Sequence, residues 1–195
     1  MNSHERLNLK PKLSNQNQII AKTTRFGWFF SSVIKIKCGV KMDIDSAIEH
    51  ARGCLFNLKK GCPQRSVIYY AQHGISEVVL LKRIEDIASS MGIACKHNEI
   101  FMDVDFNFDD ITDALVESGE AARRINSVIC IIVDEIEKIP MDKISGLSVA
   151  LHRCNQLKLP VMAYAAGHPQ ILKIVGKACP YAEWLFYFKC LDELN

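Results

Sequence analysis

Two adjacent carboxylates, Asp134 and Glu135, directly follow an apolar run at residues 127–133. An acidic pair at the end of a buried strand can bind Mg²⁺ through one carboxylate and activate a water molecule through the other. We therefore interpret Asp134 as a candidate Mg²⁺ ligand and Glu135 as a candidate water-activating base. Acidic residues also cap helices that follow strands, and this structural explanation stays open.

A second candidate site follows the apolar segment SVIYYA, in the stretch QHGISEVVLL. A working phosphate loop reads GxxxxGK[ST]: its backbone N–H groups cradle the phosphates, its lysine reaches the terminal ones, and its hydroxyl binds Mg²⁺. Here Gly74 lies inside the loop, but Glu77 stands at the lysine position and Val78 at the hydroxyl position. The loop alone favours a strand-to-helix turn that binds no ligand.

Both candidate sites depend on an alternation of strands and helices. Apolar runs rich in β-forming residues predict buried strands at residues 66–71, 93–100, 127–135, 160–167 and 183–189. Helical spacing of apolar residues predicts helices at residues 44–58, 76–90, 108–125, 142–157 and 168–179. This alternation predicts an α/β fold, a five-stranded parallel sheet with helices on both faces. In such sheets ligands bind at the carboxyl ends of the strands, where both candidate sites fall.

The charge is unevenly distributed along the chain. Residues 1–41 carry eight Lys and Arg against one acidic residue, a net charge of +7, whereas residues 42–195 carry −5. We predict a basic, disordered leader at 1–41, with Met42 as an alternative true start, and a folded core at 42–195. Because phosphate contacts from Lys and Arg supply most non-specific affinity for nucleic acid, such binding is expected only through the leader.

The eight cysteines are scattered through apolar segments and form no CxxC pair. This distribution is typical of buried thiols in a reducing cytoplasm, and no zinc site is expected. The apolar stretch at 26–34 is too short to span a bilayer and lacks a small-residue cleavage site after it. We therefore expect a cytoplasmic protein that does not associate with a membrane.

About 150 residues, from Ser46 to the end, resemble the AAA-type ATPase domains of the Orc1-like group in bacteria. The segments that carry the resemblance are RSVIYYAQHGISEVVLLKRIEDIA, IIVDEIEKIP, ALHRCNQLKLPVMAYAAGHPQIL and KACPYAEWLFYFK. Their order and spacing match that group. The resemblance implies a P-loop NTPase core, ATP and Mg²⁺ as cofactors, ATP hydrolysis, and a nucleotide at the tip of the first strand.

Carried over residue by residue, the resemblance places the phosphate-gripping lysine at Glu77 and the Mg²⁺-binding hydroxyl at Val78. The glycines that flank the loop fall on Ala71 and Ser76. The sequence therefore predicts a degenerate phosphate loop, which comprises Gly74, Ile75, Ser76, Glu77 and Val78.

The other positions of the resemblance are only partly preserved. The Mg²⁺-side aspartate matches Asp134, and the catalytic glutamate matches Glu135, which we expect to be vestigial. A polar sensor would lie at residues 165–168, where His168 is the most polar candidate. The family's helical lid would follow the last strand, and we expect it to be absent.

Electrostatics favours one of three functional interpretations. A unit charge at about 4 Å contributes roughly 4 kcal/mol at an effective dielectric near 20, so a carboxylate in place of an ammonium weakens phosphate binding severely. We therefore expect weak ATP binding and lost hydrolysis in an inactive homologue, which either serves an unidentified protein partner or is a remnant of an ATPase. Two alternatives stay open: a working ATPase with an atypical loop, and a nucleic-acid accessory protein that acts through its leader.

Overall fold

The computed structural model describes residues 41–72, 75–97 and 108–191. Within these ranges strands and helices alternate along the chain. The elements are β1 (Lys41–Met42), α1 (Ile44–Lys59), β2 (Ser66–Tyr70), α2 (Ile75–Ser90), β3 (Ala94–His97), α3 (Phe108–Arg124), β4 (Ile129–Val133), a 3₁₀ turn (Ile136–Lys138), α4 (Met141–Gln156), β5 (Val161–Gly167), α5 (Ile171–Ala178), α6 (Ala182–Leu185) and β6 (Phe186–Leu191).

The strands form one parallel sheet in the order β1-β6-β2-β5-β4-β3. The predicted α/β fold with a parallel sheet is confirmed, but the sheet has six described strands rather than five. The additional strand, β1, contains only two residues and pairs through Lys41 with Cys190 and through Met42 with Leu191. So short an edge strand leaves no alternation in the sequence from which it could be predicted.

Helices cover both faces of the sheet, which explains why the central strands are apolar along their whole length. Every residue of β2, β4 and β5 is buried. One core cluster joins α1 and α2 to one face, and a second joins α3, α4 and α5 to the other. The core thus holds β5 between β2 and β4, so that these three strands end side by side.

Four helices end in the same hydrogen-bonded turn, in which one residue adopts a left-handed conformation. This residue is Gly61 (φ 80°) after α1 and Gly92 (φ 69°) after α2. It is Asn126 after α3 and Lys158 after α4, both at φ 52°. In the α4 turn, the N–H of Leu159 donates to the Cys154 carbonyl at 2.9 Å. Gly61 and Gly92 thus mark the ends of α1 and α2.

The last predicted strand, 183–189, is partly wrong. The chain first forms α6 at Ala182–Leu185, and the strand begins only at Phe186. Ala182 and Leu185 are buried at helical spacing, while Trp184 between them is 78% exposed. The apolar character of this segment therefore reflects a helical turn with an exposed aromatic residue, not a strand.

Two other predictions concern residues beyond the described ranges. The leader at 1–41 is described only at Lys41, which lies in β1. Of the predicted strand at 93–100, the structure describes β3, and residues 98–100 lie outside the described part. Among the described helices, none has the length and apolar character that crossing a bilayer requires.

Candidate functional site

The candidate site lies where the carboxyl ends of β2, β5 and β4 meet. Tyr70, the last residue of β2, pairs with Gly167 at the end of β5, and Val133 of β4 pairs with Ala165. The turn after β2, the acidic residues after β4 and His168 after β5 therefore share one edge of the sheet. The predicted phosphate loop and the predicted acidic pair are brought together, as a parallel sheet requires.

Glu77 is the central residue of this site. It lies in the first turn of α2, is only 4% exposed, and accepts a 2.8 Å hydrogen bond through Oε1 from the N–H of Ala71. Ala71 is the first residue after β2 and occupies the first glycine position of the predicted loop. The carboxylate of Glu77 thus accepts a hydrogen bond from a backbone N–H at the start of this loop.

The surroundings of Glu77 oppose its negative charge. Burial raises the pKa of Glu77, while the hydrogen bond from Ala71 and the nearby His168 partly offset that effect. The negative charges of Glu137 and Asp134 raise the pKa of Glu77 further. The site is therefore rich in carboxylates, and an incoming anion would meet these same charges.

Among the remaining loop positions, the structure describes the side chain of Val78 alone. Val78 is 54% exposed, with an aliphatic side chain where the pattern requires a hydroxyl. Gly74 lies outside the described part of the chain, as do the side chains of Ile75 and Ser76, although the backbone of both belongs to α2.

The two carboxylates of the acidic pair after β4 have different partners. Asp134 is partly buried, and its Oδ1 accepts the N–H of Glu135 at 2.8 Å. Glu135 adopts a left-handed conformation (φ 47°), and its carboxylate forms a 2.6 Å ion pair with Nζ of Lys138. The side chain of Glu135, the residue predicted as the base, is 57% exposed, so this ion pair lies on the surface.

Glu137 is the residue of this site that the sequence analysis missed. Its Oε2 is buried and has no hydrogen-bond partner in the part of the chain that the structure describes. The atom packs against Gly167, where a Cβ would collide with it and would lie 3.1 Å from Cγ2 of Ile136. A glutamate in a charged segment such as EIEK is expected to be solvent-exposed. The inward position of Glu137 becomes visible only in the structure, in the tight turn after β4.

Two described loop positions lack the groups with which a phosphate loop binds a magnesium-bound triphosphate. The loop offers a buried carboxylate and an aliphatic side chain in place of an ammonium and a hydroxyl, although Asp134 could still bind a cation. Across ranges 41–72, 75–97 and 108–191, no group of three or more His, Cys, Asp and Glu residues is arranged to hold a metal ion.

No family model matches the sequence, and no curated protein matches it. Solved structures do resemble this fold. A complex of HORMA, CdnC and Trip13 from E. coli MS115-1 matches 78% of this chain and 63% of that chain, at 11% identity and a TM-score of 0.53. C. elegans PCH-2 matches 78% of this chain and 43% of that chain, at 9% identity and a TM-score of 0.50.

The chain thus spans less than two thirds of each of these two solved chains. Identities this low establish the fold and nothing beyond it. The P-loop NTPase fold that the sequence resemblance implied is confirmed, since the parallel sheet with helices on both faces matches that fold. Residues 41–191, as far as they are described, have the fold of a P-loop NTPase core.

Proposed function

We propose that this protein is an AAA-type ATPase-like domain that no longer uses ATP and acts through its folded surface. The observation that carries this proposal is the hydrogen bond from the Ala71 N–H to the buried carboxylate of Glu77. In a working loop, backbone amides and a lysine neutralise phosphate. In this chain the carboxylate of Glu77 stands at the lysine position and accepts the N–H of Ala71.

The energetic consequence is large. Attraction of roughly 4 kcal/mol between a phosphate and an ammonium at about 4 Å becomes a repulsion of similar size when a carboxylate replaces it. Half of that change weakens binding about a thousandfold. Asp134 and Glu137 act in the same direction, since their charges already disfavour ionised Glu77.

Two features support loss of hydrolysis as well as loss of binding. Val78 supplies no oxygen for Mg²⁺, so the cation that would screen the carboxylates is held less well. The Glu135 carboxylate pairs with Lys138 on the surface. A water-activating role for Glu135 would first require this ion pair to break.

A protein partner is the role that this surface supports best. Trp184 is 78% exposed and Tyr187 is 38% exposed, and large exposed aromatic side chains are enriched in protein interfaces. The similar Trip13 chain was solved in a complex with HORMA and CdnC. By analogy, we propose that this domain contributes a fixed surface to an assembly rather than an ATPase cycle.

Reversing three of the four altered positions tests the proposal. The variant Ser76→Gly, Glu77→Lys, Val78→Thr restores the second glycine, the lysine and the hydroxyl of the pattern. The variant Ser76→Gly, Glu77→Met, Val78→Thr is a control that lacks the ammonium. We expect millimolar Mg·ATP to raise the melting temperature of the restored variant by several degrees, and to leave the control and the unmodified chain unchanged. Such a shift follows when a ligand binds only the folded state.

Two results would contradict the proposal. A restored variant that folds, as judged by circular dichroism, and still shows no ATP-dependent shift means that this loop is not a degenerate phosphate loop. A shift in the unmodified chain that Asp134→Asn abolishes favours a working ATPase with an atypical loop.

A further inference from the structure

Two cysteines lie directly opposite each other on neighbouring strands. Cys95 of β3 is the register partner of Cys130 of β4. Adjacent strands lie about 4.7–4.9 Å apart, which is inside the Cα–Cα range of about 4.4–6.8 Å that disulfides span. Among the register pairs of the described sheet, only this pair joins two cysteines.

The two side chains lie on the same face of the sheet. Cys130 belongs to the core cluster beneath α1 and α2, and Cys95 packs against that cluster from the edge strand. Cys130 is fully buried, whereas Cys95 is partly exposed. A reagent in solvent therefore reaches Cys95 first, and Cys130 is the next thiol inward.

The contact between the thiols gives them different chemical roles. The contact with Cys130 lowers the pKa of Cys95, which favours the Cys95 thiolate. The same contact and burial both raise the pKa of Cys130. Lys82 also favours the Cys95 thiolate, whereas burial and Glu85 oppose it. Because the thiolate is the attacking species in disulfide exchange, Cys95 is the expected nucleophile.

We propose that Cys95 and Cys130 form a redox-active dithiol, which a small disulfide such as oxidised glutathione converts into an intramolecular disulfide. The Cys95 thiolate attacks one sulfur of oxidised glutathione, which forms a mixed disulfide and expels one glutathione thiolate. Cys130 then loses its proton and attacks the Cys95 sulfur, which expels the second glutathione thiolate. Two protein thiols are oxidised to one disulfide, and one oxidised glutathione is reduced to two glutathione molecules.

The other described cysteines lack this arrangement. Cys62 is exposed and has no opposing cysteine within the described ranges, so its reaction with oxidised glutathione stops at the mixed disulfide. Cys54, Cys154 and Cys179 are buried, and burial raises the pKa of each. A disulfide at Cys95 and Cys130 would join the edge strand β3 to β4, the strand that leads to Asp134.

The test uses the full-length native protein. It is incubated with oxidised glutathione, free thiols are then alkylated, and peptides are analysed by mass spectrometry without reduction. We expect a cross-linked peptide pair that contains Cys95 and Cys130, and we expect Cys62→Ser to leave its yield unchanged. In Cys130→Ser, Cys95 should accumulate as the glutathione mixed disulfide.

Cys95→Ser keeps the test valid if Cys130→Ser does not fold, because Cys95 lies at the edge of the core. In this variant Cys130 should remain a free thiol. Three results would overturn the proposal: Cys95 of the unmodified protein stops at the mixed disulfide, both thiols stay unoxidised, or the cross-link forms only after urea unfolds the chain.

Discussion

At the scale of single residues, Glu77 combines three properties that rarely occur together. It is almost fully buried, it accepts the Ala71 N–H, and it lies near the charges of Asp134 and Glu137. The hydrogen bond stabilises the ionised form, and the burial and charges oppose it. These opposed effects make the stability of the protein depend on the protonation of this residue.

The first prediction concerns Glu77 and pH. Its pKa in the folded protein is raised above the ordinary 4.5, so the folded state keeps this proton to higher pH than the unfolded chain. The contribution of Glu77 to stability is therefore full below pH 4.5 and decreases as the pH rises towards the raised value. Glu77→Gln keeps an oxygen acceptor for Ala71 without the charge.

We expect Glu77→Gln to be more stable than the unmodified chain at pH 7 and to lose this advantage near pH 4. Urea unfolding at a series of pH values measures both effects. The control is Glu135→Gln, since Glu135 carries an exposed carboxylate at the same edge. If Glu77→Gln changes the free energy of unfolding by the same amount at every pH, the raised pKa assigned to Glu77 is contradicted.

The second prediction concerns Lys158, which holds a left-handed conformation after α4. This conformation costs roughly 1–2 kcal/mol for a residue with a Cβ, and Asn tolerates it better. Lys158→Gly relieves that cost and loses about 0.5–1 kcal/mol through the flexibility of glycine. We expect a net gain of about 0.5–1 kcal/mol in the free energy of unfolding, measured in urea.

Asn126→Gly is the matched comparison, because Asn126 has the same φ of 52° after α3. Its gain should be smaller than that of Lys158→Gly. If both substitutions destabilise the protein, the left-handed conformation is not a source of strain at either turn.

At the scale of elements, two helical glycines allow opposite predictions. A Cβ on Gly119 of α3 would lie 2.8 Å from Cγ2 of Val161 and 3.0 Å from Cβ of Leu159, whereas a Cβ on Gly53 of α1 would meet nothing within 4 Å. Overpacking costs about 1–3 kcal/mol, and replacing Gly with Ala in a helix gains up to about 1 kcal/mol.

We therefore expect Gly119→Ala to lower the free energy of unfolding by about 1–2 kcal/mol and Gly53→Ala to raise it by about 0.5–1 kcal/mol. Thermal unfolding of the two variants beside the unmodified chain measures the difference. Stabilisation by both substitutions would mean that α3 does not approach the start of β5 as closely as described.

The sequence predicts elements well where burial leaves a period. Strands β2, β4 and β5 are buried on both faces, so their apolar runs identify them, and the glycines after α1 and α2 mark where those helices end. Two elements escape this reasoning. β1 is too short to show a period, and α6 resembles a strand because Trp184 is exposed on it.

The site is predictable only in part, for the same physical reason. Residue types at the strand ends identify Glu77 and Asp134, because parallel strands present their ends at one edge. The inward position of Glu137 and the ion pair of Glu135 with Lys138 depend on the left-handed conformation of Glu135. A positive φ at a glutamate is uncommon, and no local sequence signal indicates it.

At the scale of the whole molecule, the fold and the site are energetically separable. Two apolar clusters, one on each face of the sheet, hold the strands in place, and the acidic site occupies only the edge where they end. The fold can therefore persist whether or not this site binds a nucleotide. The exposed surface, including Trp184, is the part through which we propose that the protein acts.

Calorimetric titration of the unmodified chain with Mg·ATP tests the central claim most directly, because it requires no substitution. We predict no saturable heat up to millimolar nucleotide, since the buried Glu77 carboxylate and its acidic neighbours repel the phosphates. Saturable binding with a dissociation constant in the micromolar range would contradict the account.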